Sequence, residues 1–142
     1  TQKLVTARAV AVLAKDHPLS DKAALSVEDV PLDQMILPTA PPLINKLQVY
    51  THSAGGEMPP LRVHLVLTGL RLAEAGLGVI VSDPLTATAF ATDKTKIVPW
   101  IPDIFLDYGY VVAKERQENQ ILSDLLDYLG ECSREWSAQT QV

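Results

Sequence analysis

Apolar positions fall into short blocks separated by turn-forming residues, and the spacing inside each block predicts its element. Leu4 to Ala14 is almost continuously apolar and rich in β-branched residues until Lys15-Asp16-His17-Pro18 stops it, which predicts one strand buried on most of its surface. Met35 to Leu37, Leu61 to Val63, Gly78 to Val81, Lys96 to Trp100 and Phe105 to Ala113 are further runs of strand character. Between them the spacing turns helical. Leu43, Leu47 and Tyr50 share a face behind the prolines of Pro38-Thr39-Ala40-Pro41-Pro42, which suit a helix start. Leu65, Val66, Leu70, Leu72 and Ala73 share a second face, ended by Ala75-Gly76, where glycine suits the left-handed cap. Asp83-Pro84 supplies an N-cap and a first-turn proline for a third helix toward Phe90. Ser26 to Asp29 predicts a helix of one turn, limited by Pro31, and Ser53 to Pro60 reads as a loop. Asn119 caps a last amphipathic helix with Ile121, Leu122, Leu125, Leu126, Tyr128 and Leu129 on one face, where Leu125 is expected to be buried. Repeated alternation of strand and helix predicts an α/β fold with a mostly parallel sheet flanked by helices.

Composition narrows the function more than the fold. A chain of 142 residues, 47% of them hydrophobic, is long enough for one core. No apolar stretch approaches the roughly 20 residues that span a bilayer. The start, Thr1-Gln2-Lys3-Leu4-Val5, lacks the pattern of a secretion signal, so the expected compartment is cytoplasmic and no membrane partner is expected. A net charge of −5, with 12 basic residues scattered singly, argues against direct contact with a phosphate backbone. Cys132 is the one cysteine, which excludes an internal disulfide or a cysteine metal cage and leaves it as a small packing residue.

Candidate chemistry is sparse. His17, His52 and His64 lack a carboxylate at a spacing that would orient an imidazole, and no nucleophile, acid–base pair or metal-ligand set stands out. The chain is therefore not expected to be an enzyme, and no metal or cofactor is expected. Gly76-Leu77-Gly78 follows a helix and precedes a strand, the reverse of a dinucleotide fingerprint, so it reads as a helix cap and a close strand approach. Ligand contacts are expected where strands pass into helices at one sheet edge: Thr39, Ala40, Pro41, Pro42, Leu43, His64, Leu65 and Asp83. Alternatives stay open at each. Thr39 to Leu43 is an anion-facing helix start or a proline-stiffened turn, and His64 is a ligand contact or a polar residue at a helix start. Asp83 reads first as an N-cap, with a counter-charge for an amino group as its other role.

Three stretches carry a resemblance to a known family: the strand with Lys15-Asp16-His17-Pro18-Leu19, then Leu72-Ala73-Glu74-Ala75-Gly76-Leu77-Gly78-Val79-Ile80-Val81-Ser82-Asp83-Pro84-Leu85-Thr86-Ala87, and Tyr108 to Ala113 followed by the helix from Asn119. In this order they resemble the C-terminal part of the effector-binding domain of LysR-type transcriptional regulators. The resemblance implies a periplasmic-binding-protein-like fold of type 2. It also implies subdomain two over about 14–104, with 1–13 and 105–142 as hinge strands and the return to subdomain one. The implied function is sensing a small molecule, such as an amino acid, an opine or another small carboxylate, in an interlobe cleft to modulate DNA binding. DNA would be touched only through an N-terminal helix-turn-helix that this chain does not contain, and a homo-oligomer, specifically a dimer, is implied. The alternative is a fragment of a solute-binding protein for transport, which shares the fold.

Overall fold

The apolar run at the start of the chain is two strands rather than one: β1, Gln2–Arg8, and β2, Val10–Ala14. They join different sheets, and the break falls at Ala9, whose N–H donates to the Ile104 carbonyl at 2.8 Å. Sequence periodicity cannot register such a break, since both strands are apolar and only their pairing partners differ. The computed structural model describes residues 1–47, 58–113 and 119–139. It contains two compact units, Thr1–Ala7 with Asp107–Val142, and Arg8–Leu106.

The larger unit is built on five strands in the order β4-β3-β5-β2-β6, with β3 at Met35–Pro38, β4 at Leu61–Val63, β5 at Val79–Ser82 and β6 at Thr95–Pro99. β3 runs parallel to β4 and β5, whereas β2 is antiparallel to β5 and β6. β6 thus points the same way as β5, so four strands share one direction and β2 alone opposes them. The expected mostly parallel sheet is present. Helix α1 is described over 43–47, and α2 covers Val66–Glu74 and α3 Pro84–Phe90. α2 packs on β2, β3, β4 and β5 and touches α3, so these two share a face.

The core lies under α2. Val12, Ile36, Val63, Leu70, Ala73, Ile80 and Ala87 pack there as one buried cluster. Gly76 ends α2 at φ +80°, with its N–H on the Ala73 carbonyl and the Leu77 N–H on the Leu72 carbonyl, the paired bonds of a Schellman cap. Gly78, at φ +153°, passes so near the Gln34 carbonyl that a Cβ would collide with it. Both glycines therefore have the roles their order along the chain predicts.

Two further expectations fail. Ser26 to Asp29 forms a turn, not a helix: the Ser26 N–H and hydroxyl both donate to the Asp29 carboxylate, but Pro31 has no N–H to continue the pattern. A 3-10 turn follows at Leu32–Gln34.

The smaller unit pairs β1 with β7, Phe105–Tyr110, and carries helix α4, Gln120–Gln139. Asn119 Oδ1 caps α4 through the Ile121 N–H at 2.9 Å. The expected burial of Leu125 is the second to fail. No α4 residue is buried, and Leu125 is 50% exposed, because a two-stranded ribbon is too narrow to cover a helix face. Tyr50, His52 and most of the loop at 53–60 lie outside the described residues.

Candidate functional site

Three strands of the larger unit end together. Ile36 is level with Leu61 on β4 and with Ile80 on β5, and Pro38 with Val63. Carried past the ladders, by one step from Pro38 and Val63 and by three from Ile36 and Ile80, this register sets Thr39, His64 and Asp83 at one level along the C-terminal edge. Neighbouring strands lie about 4.8 Å apart, so each flanking position is one strand away from Thr39. The chain leaves β3 for β4 on one side, then crosses back through α2 to β5 on the other. That reversal makes the β3–β5 boundary a topological switch point, where open sheets form a crevice outside their strand ends.

Each residue in the row has a distinct local geometry. Thr39 is half-buried; its N–H donates to the Val63 carbonyl at 2.8 Å and its hydroxyl to the same oxygen at 3.2 Å. Ala40 is half-buried, and Pro41 and Pro42, joined by a cis peptide bond, are exposed. Leu43 is only 5% exposed, so it presents almost no surface to a ligand. His64 is exposed, and Leu65, 64% exposed, is the N-cap of α2. No side chain caps that helix and its first turn holds no acid. The dipole of α2 therefore makes the β4 end of the row favour negative charge.

At the β5 end, Asp83 Oδ1 accepts from the Thr86 N–H at 2.8 Å, with Pro84 at N1. The capping role is observed, and the helix dipole offsets the carboxylate's charge. The structure thus brings Thr39, His64 and Asp83 to one edge and removes the Leu43 side chain from it. Sequence reading missed Lys46, whose ammonium donates to the Phe105 carbonyl, because a partner 59 positions away leaves no local signal.

His17 Nδ1 accepts from the Leu19 N–H at 3.1 Å, a turn role. A cleft of about 430 Å³ in the smaller unit is lined by Lys3, Arg134, Asp127 and Glu131 among others, and its two cations and two anions select no ligand charge. Among the described residues, no group of three His, Cys, Asp or Glu side chains could hold a metal ion, and no helix is long and apolar enough to cross a membrane.

A family model described as "LysR substrate binding domain" matches residues 1–133. No curated protein sequence matches the chain. Solved structures do. HinK, a LysR family transcriptional regulator from Pseudomonas aeruginosa, is similar with a TM-score of 0.68 at 15% identity, over 90% of this chain and 45% of its own. The Synechocystis CcmR regulatory domain in complex with 2-PG is similar with a TM-score of 0.65 at 14% identity, over 93% of this chain and 65% of its own. The BenM effector binding domain with its effector benzoate is similar with a TM-score of 0.60 at 18% identity, over 95% of this chain and 63% of its own. The chain therefore spans less than two thirds of each of these proteins.

Proposed function

The chain belongs to the LysR substrate binding domain family, and from that membership we propose that it is the effector-sensing part of a LysR-type transcriptional regulator. The observation that carries the reading is the row of Thr39, His64 and Asp83 at the switch point of the parallel strands. A small molecule held there shifts the regulator between states by its differential affinity for them. We assign the chain no catalysis. In this reading about 14–104 is subdomain two, and 1–13 and 105–142 are hinge strands and the return to subdomain one. The regulator works in the cytoplasm as a homodimer, and a helix-turn-helix outside this chain contacts DNA. The net charge of −5 fits that division of labour.

The effector we assign is a small carboxylate. Two observations support it: the uncapped α2 start with no acid in its first turn, and benzoate as the effector of BenM. Asp83 serves as a cap rather than as a free counter-charge, so recognition of an amino group has less support. The transport alternative has no observation of its own.

A thermal-shift screen of amino acids, opines and aromatic carboxylates on the full-length protein will identify the effector, since a ligand at about a hundred times its Kd stabilises by roughly 2.7 kcal/mol. Calorimetry then tests the site. To donate to a carboxylate, the Thr39 hydroxyl must give up the Val63 carbonyl. Thr39→Ala is therefore expected to weaken binding by about 0.5–1 kcal/mol, the low half of one hydrogen bond's net contribution. Thr39→Trp, which fills the crevice, should weaken it more. Unchanged affinity in both variants places the site elsewhere.

A further inference from the structure

Helix α1 begins at the proposed effector segment, with the Ile44 N–H on the Ala40 carbonyl at 3.4 Å. Leu43, Ile44 and Leu47 are buried, while Asn45 and Lys46 are exposed. Lys46 nevertheless has a defined partner. Its ammonium donates to the main-chain carbonyl of Phe105, the first residue of β7. Two further links gather close by in sequence: the Ala9 N–H on the Ile104 carbonyl at 2.8 Å, and the Arg8 guanidinium 3.5 Å from Asp103. Those two join the incoming strand to the returning one. Lys46 joins that pair to the helix that starts at the site.

We infer that Lys46 is a positioning residue for the regulator's response, passing displacements of the Thr39–Leu43 segment through α1 to the Phe105 carbonyl, where the chain leaves the larger unit. The inference rests on the proposed placement of the effector at Thr39. The chemistry suits a reversible link. An ammonium on a flexible four-carbon stem carries three donors and can follow a moving carbonyl, and a single solvated hydrogen bond is weak enough to break and remake. The Lys46 N–H is itself on the Pro42 carbonyl at 3.4 Å, so a shift of the Thr39–Leu43 segment reaches Lys46 within about one helical turn.

Amide exchange on the full chain, without any effector, tests the link. The reporter is the Ala9 N–H, and the perturbation is Thr39→Ala, introduced into three backgrounds: wild type, Lys46→Met, which keeps the stem but removes charge and donors, and Lys46→Arg, which keeps both. Thr39→Ala is expected to change Ala9 exchange at least about threefold in wild type and in Lys46→Arg, and less than about 1.5-fold in Lys46→Met. A purely local role for Lys46 would shift the Ala9 baseline and leave the Thr39 effect equal in all three. That equality, or no Thr39 effect in wild type, overturns the inference. Because no effector is used, this test can fail while calorimetry still places binding at Thr39, and the reverse holds.

Discussion

Leu70 and Leu125 read alike in the sequence, each an apolar position in a helical stripe, yet Leu70 is 2% exposed and Leu125 50%. Leu70 touches the core cluster with Ile36 and Ile80, so Leu70→Ala should destabilise by about 2–5 kcal/mol. Leu125→Ala should cost less than about 1 kcal/mol, because half a side chain's burial is at stake and no cavity opens. Chemical denaturation of both variants checks the contrast, and equal losses would refute it. Asp29 makes a residue-scale prediction in pH. The Lys22 ammonium, then the Ser26 N–H and hydroxyl, bond its carboxylate and hold its pKa below the ordinary value. A depressed folded pKa contributes stability above the unfolded carboxyl's pKa, about 3.9, which is lost as pH falls through the folded value. Wild type is therefore expected to exceed Asp29→Asn in stability near neutrality and to converge on it below about pH 4. Denaturation midpoints measured across that range that stay parallel would exclude the linkage.

Element boundaries follow local chemistry closely where a side chain or a glycine settles them. α3 starts at Pro84 because Asp83 caps it, and α2 stops where Gly76 takes a left-handed conformation. Asp83→Ala is expected to destabilise by about 0.5–2 kcal/mol and Asp83→Ser to recover most of that loss, since serine also accepts from the Thr86 N–H. Thermal melts of the two variants decide it, and equal losses would show that the carboxylate's other interactions outweigh the cap. The turn at Ser26 marks where such local signals end. The bond from the Ser26 N–H to the Asp29 carboxylate matches one half of a capping box, but the Ser26 hydroxyl donates to that carboxylate instead of accepting a backbone N–H, and following residues do not propagate the ladder.

At the scale of the whole molecule the two units differ in how well each is buried. Strands β3 and β5 are covered along their entire length, while α4 has no buried residue. Amides of Ile36, Leu37 and Ile80 should accordingly exchange slowest, and those of α4 at least about tenfold faster, because local opening follows burial. Uniform protection would contradict this ranking. The α/β class, most elements, both glycine roles and the strand-to-helix passages at Thr39, His64 and Asp83 were legible in the sequence, because each depends on neighbours within a few positions: a period, a cap, a strand passing into a helix. Three things were decided only by tertiary structure. The run from Leu4 to Ala14 divides between two sheets, and β2 opposes the other four strands; alternation reads the same for either partner and either direction. Thr39, His64 and Asp83 form a row because of a register among strands far apart in the chain. Leu125 lies open and Lys46 is engaged because burial and long-range hydrogen bonds depend on which surface folds opposite a residue, and no local pattern encodes that.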